Sequence, residues 1–308
     1  MSMPTVAFVV AMTMVFMKVN LRLPEFLYPI VSTFLLLGIG LKGGRELHIV
    51  SLDSFWKPLA SIFFLGLINP LVAFYLFRLV VRLDVVNSAA LAAHYGAPSL
   101  VTFIVLLTTL DSRGIEYGSY APVLFASLEI VGIIVALSMS KSHSIDFRRT
   151  TSVLEILRSP SIALIATGFL IGAIVDKERL AATDPFFVDL VPGVLTLFLI
   201  EMGITSAKHF ADLRSIGLRL FFLAIAIPLI NGMFGVLLAV LGGMSEGDVI
   251  VLGTLAGSAS FVAAPAVVRV TLPAASPALY LTSTISVTFP IFVTLGIPIL
   301  IAVSGIVK

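Results

Sequence analysis

The chain has 308 residues, 59% of them hydrophobic and 12% charged, with a formal net charge of +2. A water-soluble domain of this length cannot bury that much apolar surface, so the solvent is lipid, as the mean hydropathy of +1.13 also indicates. The absence of cysteine excludes disulfides and thiolate metal sites, and the lack of a basic stripe with interleaved aromatics argues against nucleic acid as a partner.

One span needs about 20 residues, so the length accommodates about ten spans and no sizeable soluble domain. The first apolar run has no positive segment ahead of it, since Lys18 follows it, and it reads as a retained span rather than a cleaved signal. Span one covers 3–17, and span two covers 26–41, ending at Gly43-Gly44. Span three covers 57–79 and carries Asn69-Pro70, where the proline frees a backbone carbonyl that neighbouring helices must satisfy. Span four covers 86–110, span five 120–139, and a polar connector follows at 141–158. Span six covers 160–175, span seven 186–206, span eight 218–241, span nine 249–270 and span ten 277–303. The expected organisation is a first unit at 1–140, a cytoplasmic connector at 141–158 and a second unit at 159–308.

The two units align. Gly40 matches Gly203, Ile68-Asn69-Pro70 matches Ile230-Asn231-Gly232, Gly96 matches Gly257 and Tyr120 matches Tyr280, at offsets of 163, 162, 161 and 160 residues. Each unit holds an odd number of spans, so the second enters from the opposite side and the repeat is inverted. Lys and Arg number 12 on the side of the connectors after the odd spans and 7 on the other. This places the first side in the cytoplasm, both termini outside, and the chain in the inner cell membrane.

Spans four and nine carry matched interruptions, Gly96-Ala97-Pro98-Ser99 and Gly257-Ser258-Ala259-Ser260. A plain membrane helix has no need of Gly, Pro and Ser together. A broken one exposes N–H groups at the new N terminus and carbonyls at the new C terminus. Pro98 suits the first position of the restarting helix, with Ser99 and Thr102 beside it. Ser258 and Ser260 suit N-cap positions, and Pro265 prevents an early continuation. Each new N terminus carries about half a positive charge, so two of them meeting at the midplane suit a small monovalent anion. The carbonyl ends suit Na+. The candidate substrate residues are Gly96, Ala97, Ser99, Thr102, Gly257, Ser258, Ser260 and Ala264, and the candidate sodium ligands are Glu129, Ser127, Ser258 and Thr102. The competing reading is that Gly and small residues only serve helix packing, which is the reading adopted for Gly168-x-x-x-Gly172.

Glu129 and Glu201 lie within spans, where a carboxylate is costly unless paired or hydrated. Glu129 reads as a Na+ ligand with a structural hydrogen-bonding role as the alternative; for Glu201 the order is reversed. His94 reads as a packed, hydrogen-bonded histidine, a proton relay being the alternative. Asn69 and Asn231 read as caps or bridges of neighbouring backbone. Gly38-x-Gly40-x-x-Gly43 matches the dinucleotide fingerprint as a string but lies at the end of a span, not between a strand and a helix.

The sequence resembles the sodium-dependent bicarbonate transporter family over nearly its whole length. The resemblance is carried by Pro4-Thr5-Val6-Ala7-Phe8, by 36–44, 91–110, 201–214 and 257–300, and above all by the run from Ala264-Pro265 through Arg269 and Leu272-Pro273-Ala274-Ala275-Ser276-Pro277 to Tyr280. It implies an all-α membrane protein of ten helices in a five-plus-five inverted repeat with crossed broken helices four and nine, like bile-acid symporters and sodium/proton antiporters. It implies Na+-driven bicarbonate uptake, with Na+ as coupling ion, and a small PII-like cytoplasmic regulator; a homo-oligomer and no organic cofactor are expected alongside. By position, Gly96, Ala97, Ser99 and Thr102 match the family's first break, Ser258, Ser260 and Pro265 its second, and Glu129 stands where the family has an aspartate. Phe261 stands where the family's second break has an aspartate, and Pro98, Leu100 and Val101 make the first break poorer in small polar residues. Symport of another small anion or carboxylate, and sodium/proton exchange, are the alternatives within transport. A membrane enzyme would need converging polar residues, whereas His48, His94, His143 and His209 are dispersed.

Overall fold

A computed structural model of the chain describes residues 3–24, 26–46, 52–142, 160–187, 189–210 and 213–306, and every regular element among them is helical. The connector at 141–158, apart from its first two residues, lies outside the described residues, as do His48 and His143. The helices are α1 (Met3–Phe16), α2 (Leu27–Glu46), α3 (Leu52–Leu76, continued by a π turn to Val81), α4 (Val85–Gly96), α5 (Leu100–Arg113) and α6 (Ala121–Ser138). After the connector come α7 (Pro160–Ile174), the short α8 (Lys177–Ala181) and α9 (Asp184–Phe187), then α10 (Val191–Phe210), α11 (Leu213–Leu241), α12 (Glu246–Gly257), α13 (Ala263–Thr271) and α14 (Pro277–Ile306).

Seven helical stretches among the described residues are long and apolar enough to cross a membrane. The expected ten spans include helices that fall short of that length: α1 with 14 residues, α7 with 15, and α12 and α13 with 12 and 9. Large apolar side chains stand exposed on the outer surfaces, among them Leu79, Ile174, Leu218 and Leu241. That is the pattern of a chain whose outer solvent is hydrocarbon.

Two bundles share the molecule. α1 packs on α10 and α2 on α7, with α10 also touching α2. The other bundle holds α3–α6 and α11–α14, built around α3, α4, α6 and the α11–α12 pair. Glycines set the closest approach in the first bundle. A Cβ added to Gly40 or Gly44 would overlap the backbone of α7, and one added to Gly168 or Gly172 would overlap the backbone of α2. The dinucleotide-like string is therefore helix packing, as is the Gly168–Gly172 pair. It also corrects the expected end of span two: Gly43 and Gly44 lie inside α2, which runs on to Glu46, because Gly44 packs on the α7 backbone and Gly43 on Pro122 and the Ser119 carbonyl. Span eight begins as expected, since Gly217 has φ 71° and ψ 156°, a kink that a side chain would oppose.

The two interrupted helices are alike in plan. α4 and α12 each have 12 residues, and they start at Val85 and Glu246, 161 residues apart. Each is capped by the side chain before it: Asp84 accepts from the Asn87 N–H, and Ser245 from the Asp248 N–H. Each first turn also holds the loop that leads into another helix. Asn87 accepts from the Ser276 N–H at 2.8 Å, and Asp248 accepts from the Gly118 N–H and the Tyr120 hydroxyl, both at 2.9 Å.

Candidate functional site

The helix that starts at Asp84 stops at Gly96 because Pro98 disfavours helical backbone at Ala97, whose φ and ψ of −111° and 143° are extended. The chain restarts at Leu100 with Ser99 as N-cap, its hydroxyl accepting from the Thr102 N–H at 3.2 Å. Pro98 therefore precedes the cap and is not the first helical residue, a correction to the expectation. In the second interruption α12 stops at Gly257 and α13 begins at Ala263, leaving five residues between them. Ser260 accepts from the Ala264 N–H at 3.3 Å and so supports the start of α13. Ser258 does not: it is the C-cap of α12, and its hydroxyl serves the other interruption.

The two interruptions bind each other directly. The Ser258 hydroxyl accepts from the Ser99 N–H at 2.9 Å and donates to the Leu255 carbonyl at 3.3 Å. The Ser260 N–H donates to the carbonyls of His94 at 2.8 Å and Ala97 at 3.0 Å. Asn69, on α3, donates to the Ala256 carbonyl at 3.2 Å, which makes it a bridge to neighbouring backbone. Pro70 packs on the first interruption, where a Cβ at Gly96 would come within 2.7 Å of its ring. On the other side of the pair, Gly257 packs closely against Phe292 and the Pro228 carbonyl.

Among the described residues, these bonds leave several main-chain groups without protein partners. No acceptor meets the N–H groups of Leu100, Val101 or Ala263, all three buried. No donor meets the Gly96 or Gly257 carbonyl. Buried backbone groups are almost always paired, so these keep hydrogen-bonding capacity that a polar solute can use. The amides belong to starting helices, and the carbonyls belong to ending ones.

Glu129 is buried, and its Oε2 has no partner among the described residues. One turn on, Gly132 lies so close to Gly96 that a Cβ would overlap the Gly96 carbonyl. Residues three apart share a helix face, so Glu129 lies on the face of α6 that meets the first interruption. Ser127 does not join it. Two residues represent about 200° of helix rotation, and Ser127 is only half-buried, so it stands on another face of α6 from Glu129. Ala97, Ser99, Thr102, Ser258, Ser260 and Ala264 are all buried at the meeting of the two interruptions. Glu201 is half-buried on α10 with Oε2 unpartnered among the described residues.

His94 is packed, as expected: Nδ1 lies 2.7 Å from the Ala90 carbonyl and the ring stacks on Tyr280 at 4.5 Å. Its Nε2 is buried without a partner. Phe261 packs edge-on against Phe289, 5.1 Å between centroids, and Phe289 packs against Phe8 of α1. Position 261 thus contributes a hydrophobic wall and no ligand. Sequence reasoning missed the Ser99–Ser258 bond, which no local pattern announces, and Thr254, a wholly buried hydroxyl without a partner one turn before the second interruption.

Residues 4–304, nearly the whole chain, match the Na+-dependent bicarbonate transporter superfamily. None of the curated proteins compared with the chain matches it.

Proposed function

Because the chain belongs to the Na+-dependent bicarbonate transporter superfamily, we propose that it is a secondary active transporter that imports bicarbonate with Na+ by alternating access. The scaffold of this reading is a five-plus-five inverted repeat, 1–140 and 159–308 joined by a cytoplasmic connector, with both termini outside and the interrupted helices α4/α5 and α12/α13 crossing at mid-bilayer. One observation carries it: the interruptions are tied by the Ser99–Ser258 and Ser260–His94 bonds, while the neighbouring Leu100, Val101 and Ala263 amides have no protein acceptor among the described residues.

The anion sits against those amides, where two helix N termini supply positive potential without a buried Lys or Arg. Thr102, Ser99, Ser260 and Ala264 frame it. Sodium sits on the carbonyl side, against Gly96 and the Glu129 carboxylate, so that its charge offsets both the carboxylate and the anion. Each solute then favours the other, and by linkage the effect is reciprocal. One bundle moves against the other around this pair of interruptions, exposing it alternately to the two sides. The oligomeric state and binding of a PII-like regulator remain part of the proposal through family resemblance alone.

Uptake of labelled bicarbonate into proteoliposomes tests this. Accumulation is expected only with an inward Na+ gradient. Accumulation that ignores the gradient overturns the coupling, and Na+-triggered pH change without any anion present replaces it with sodium/proton exchange.

A further inference from the structure

A cavity of about 440 Å3 lies between the two bundles, at the end of the molecule where the chain begins. Gly38 and Ile39 of α2 line one wall; Ile104, Leu107 and Thr108 of α5 and Pro122 of α6 line the other. None of the residues at the meeting of the interruptions lines it. Its deepest α5 residue, Ile104, is five residues past Ser99, which is about 7 Å of helix rise. The α5 axis therefore leads from this cavity straight to the buried amides.

Charged groups of both bundles meet at the mouth. Lys42 of α2 donates to both carboxylate oxygens of Asp111 on α5, at 2.6 and 2.7 Å. Lys42 also donates to the Tyr117 hydroxyl at 2.9 Å, and that hydroxyl donates in turn to Asp111 at 3.2 Å. The Lys42 ammonium lies 5.2 Å from the Tyr117 ring centroid. The cluster spans the seam, because Lys42 belongs to α2 in one bundle and Asp111 to α5 in the other, with Tyr117 in the loop after α5.

We propose that the Lys42–Asp111–Tyr117 cluster is the gate of this cavity, and that an entering small anion takes the place of the Asp111 carboxylate on the Lys42 ammonium. The inference rests on the transport reading for the identity of the anion, but not for the existence of the gate. Two features carry it. Side-chain exposures of 35% for Lys42 and 47% for Asp111 keep the pair wet, and a solvent-exposed pair holds only weakly, so it opens thermally, as a gate must. Lys42 is also the charged cation lining the cavity, while its other walls are mostly apolar. An anion arriving at the mouth finds one site where its charge is met, and displacing Asp111 to occupy it frees the seam. Lys42 is thus a capture residue at the mouth, separate from the amides that bind the anion deeper in.

The chain has no cysteine, so a single introduced one reports on the cavity cleanly. Thr108→Cys places a thiol inside the cavity, and Ser112→Cys places one at its rim, one turn outward on α5. Both are made in the full chain, purified in detergent, and labelled with small thiosulfonates carrying either a negative or a positive charge. The Asp111→Asn change is expected to raise the labelling rate of Cys at 108 about threefold to fivefold while leaving Cys at 112 within twofold. It should also shift the preference at 108 toward the anionic reagent, and Lys42→Met should shift it toward the cationic one. Equal acceleration at 108 and 112, no acceleration at 108, or a charge preference that ignores both substitutions overturns the gate. In proteoliposomes, Lys42→Met is expected to raise KM for bicarbonate about tenfold with Vmax nearly kept; an unchanged KM overturns anion capture by Lys42. If labelling behaves as expected and no variant, nor the parent chain, takes up bicarbonate with Na+, the gate stands and the substrate reading falls.

Discussion

The two interruptions occupy matched places and do different work. The first is three residues long and neatly closed: Ser99 caps α5, and the chain turns sharply at Ala97. The second is five residues long, and α13 starts at Ala263 with Val262 at the cap position, where no side chain bonds; the Ser260 hydroxyl, two residues earlier, accepts from the Ala264 N–H. Its two serines also reach the first interruption, Ser258 through its hydroxyl to the Ser99 amide and Ser260 through its amide to the His94 and Ala97 carbonyls. The second interruption thus holds the first in place, and the first presents the better-formed helix N terminus. Repetition of small residues in a sequence gives repetition of the break, but not of its role, because each serine hydroxyl has few partners and the meeting of the two interruptions decides which it takes.

This asymmetry can be broken at several points. The largest effect is expected from Gly132→Val, which drives a side chain into the Gly96 carbonyl at the first interruption. Overpacking against rigid backbone costs about 1–3 kcal/mol or more, and the folded yield on size-exclusion chromatography should collapse, whereas Gly193→Val, where a Cβ meets nothing, should leave it intact. Next is Glu129→Gln, nearly the same shape without the charge. Its Na+ dependence of uptake should weaken at least about tenfold, equivalent to about 1.4 kcal/mol, while folding is retained, because Oε2 makes no bond to lose. Uptake with the parent's Na+ dependence would remove Glu129 from the site.

Ser258→Ala sharpens the comparison itself. It leaves the buried Ser99 N–H unpaired, a loss of about 1–3 kcal/mol, and should lower both thermal stability and uptake. Ser99→Ala removes only a cap, at about 1 kcal/mol, so its melting temperature should fall less than that of Ser258→Ala. The reverse order would mean that the crossing bond matters less than the local cap. The smallest effect is expected at the outer end of α4. Partial burial raises the Asp84 carboxyl, but hydrogen bonds from the Asn87 backbone and side chain outweigh it and hold the group below its ordinary value of 3.8. A lowered folded value gives stability that is present above the unfolded value and lost as pH falls through the folded one. Asp84 is exposed, so the effect is a few tenths of a kcal/mol. The melting difference between the parent chain and Asp84→Asn should therefore shrink as pH is taken below 3.8.

Composition and spacing by themselves determined that the chain lives in lipid, that it is helical, and where two helices must stop. Ala97 before Pro98 and the run Gly257–Ser260 are local signals, and local backbone sterics act on them before any tertiary contact forms. Tertiary structure decided the rest: that Ser258 serves the opposite helix, that Ser127 turns away from Glu129 across one helix, and that Gly43 and Gly44 continue α2 because Pro122 and α7 lie against them. It also placed Lys42 opposite Asp111, 69 residues apart in the chain. Such partners are chosen by which backbone arrives alongside, and in a membrane, where every buried polar group needs a neighbour, that choice belongs to packing and not to the local pattern.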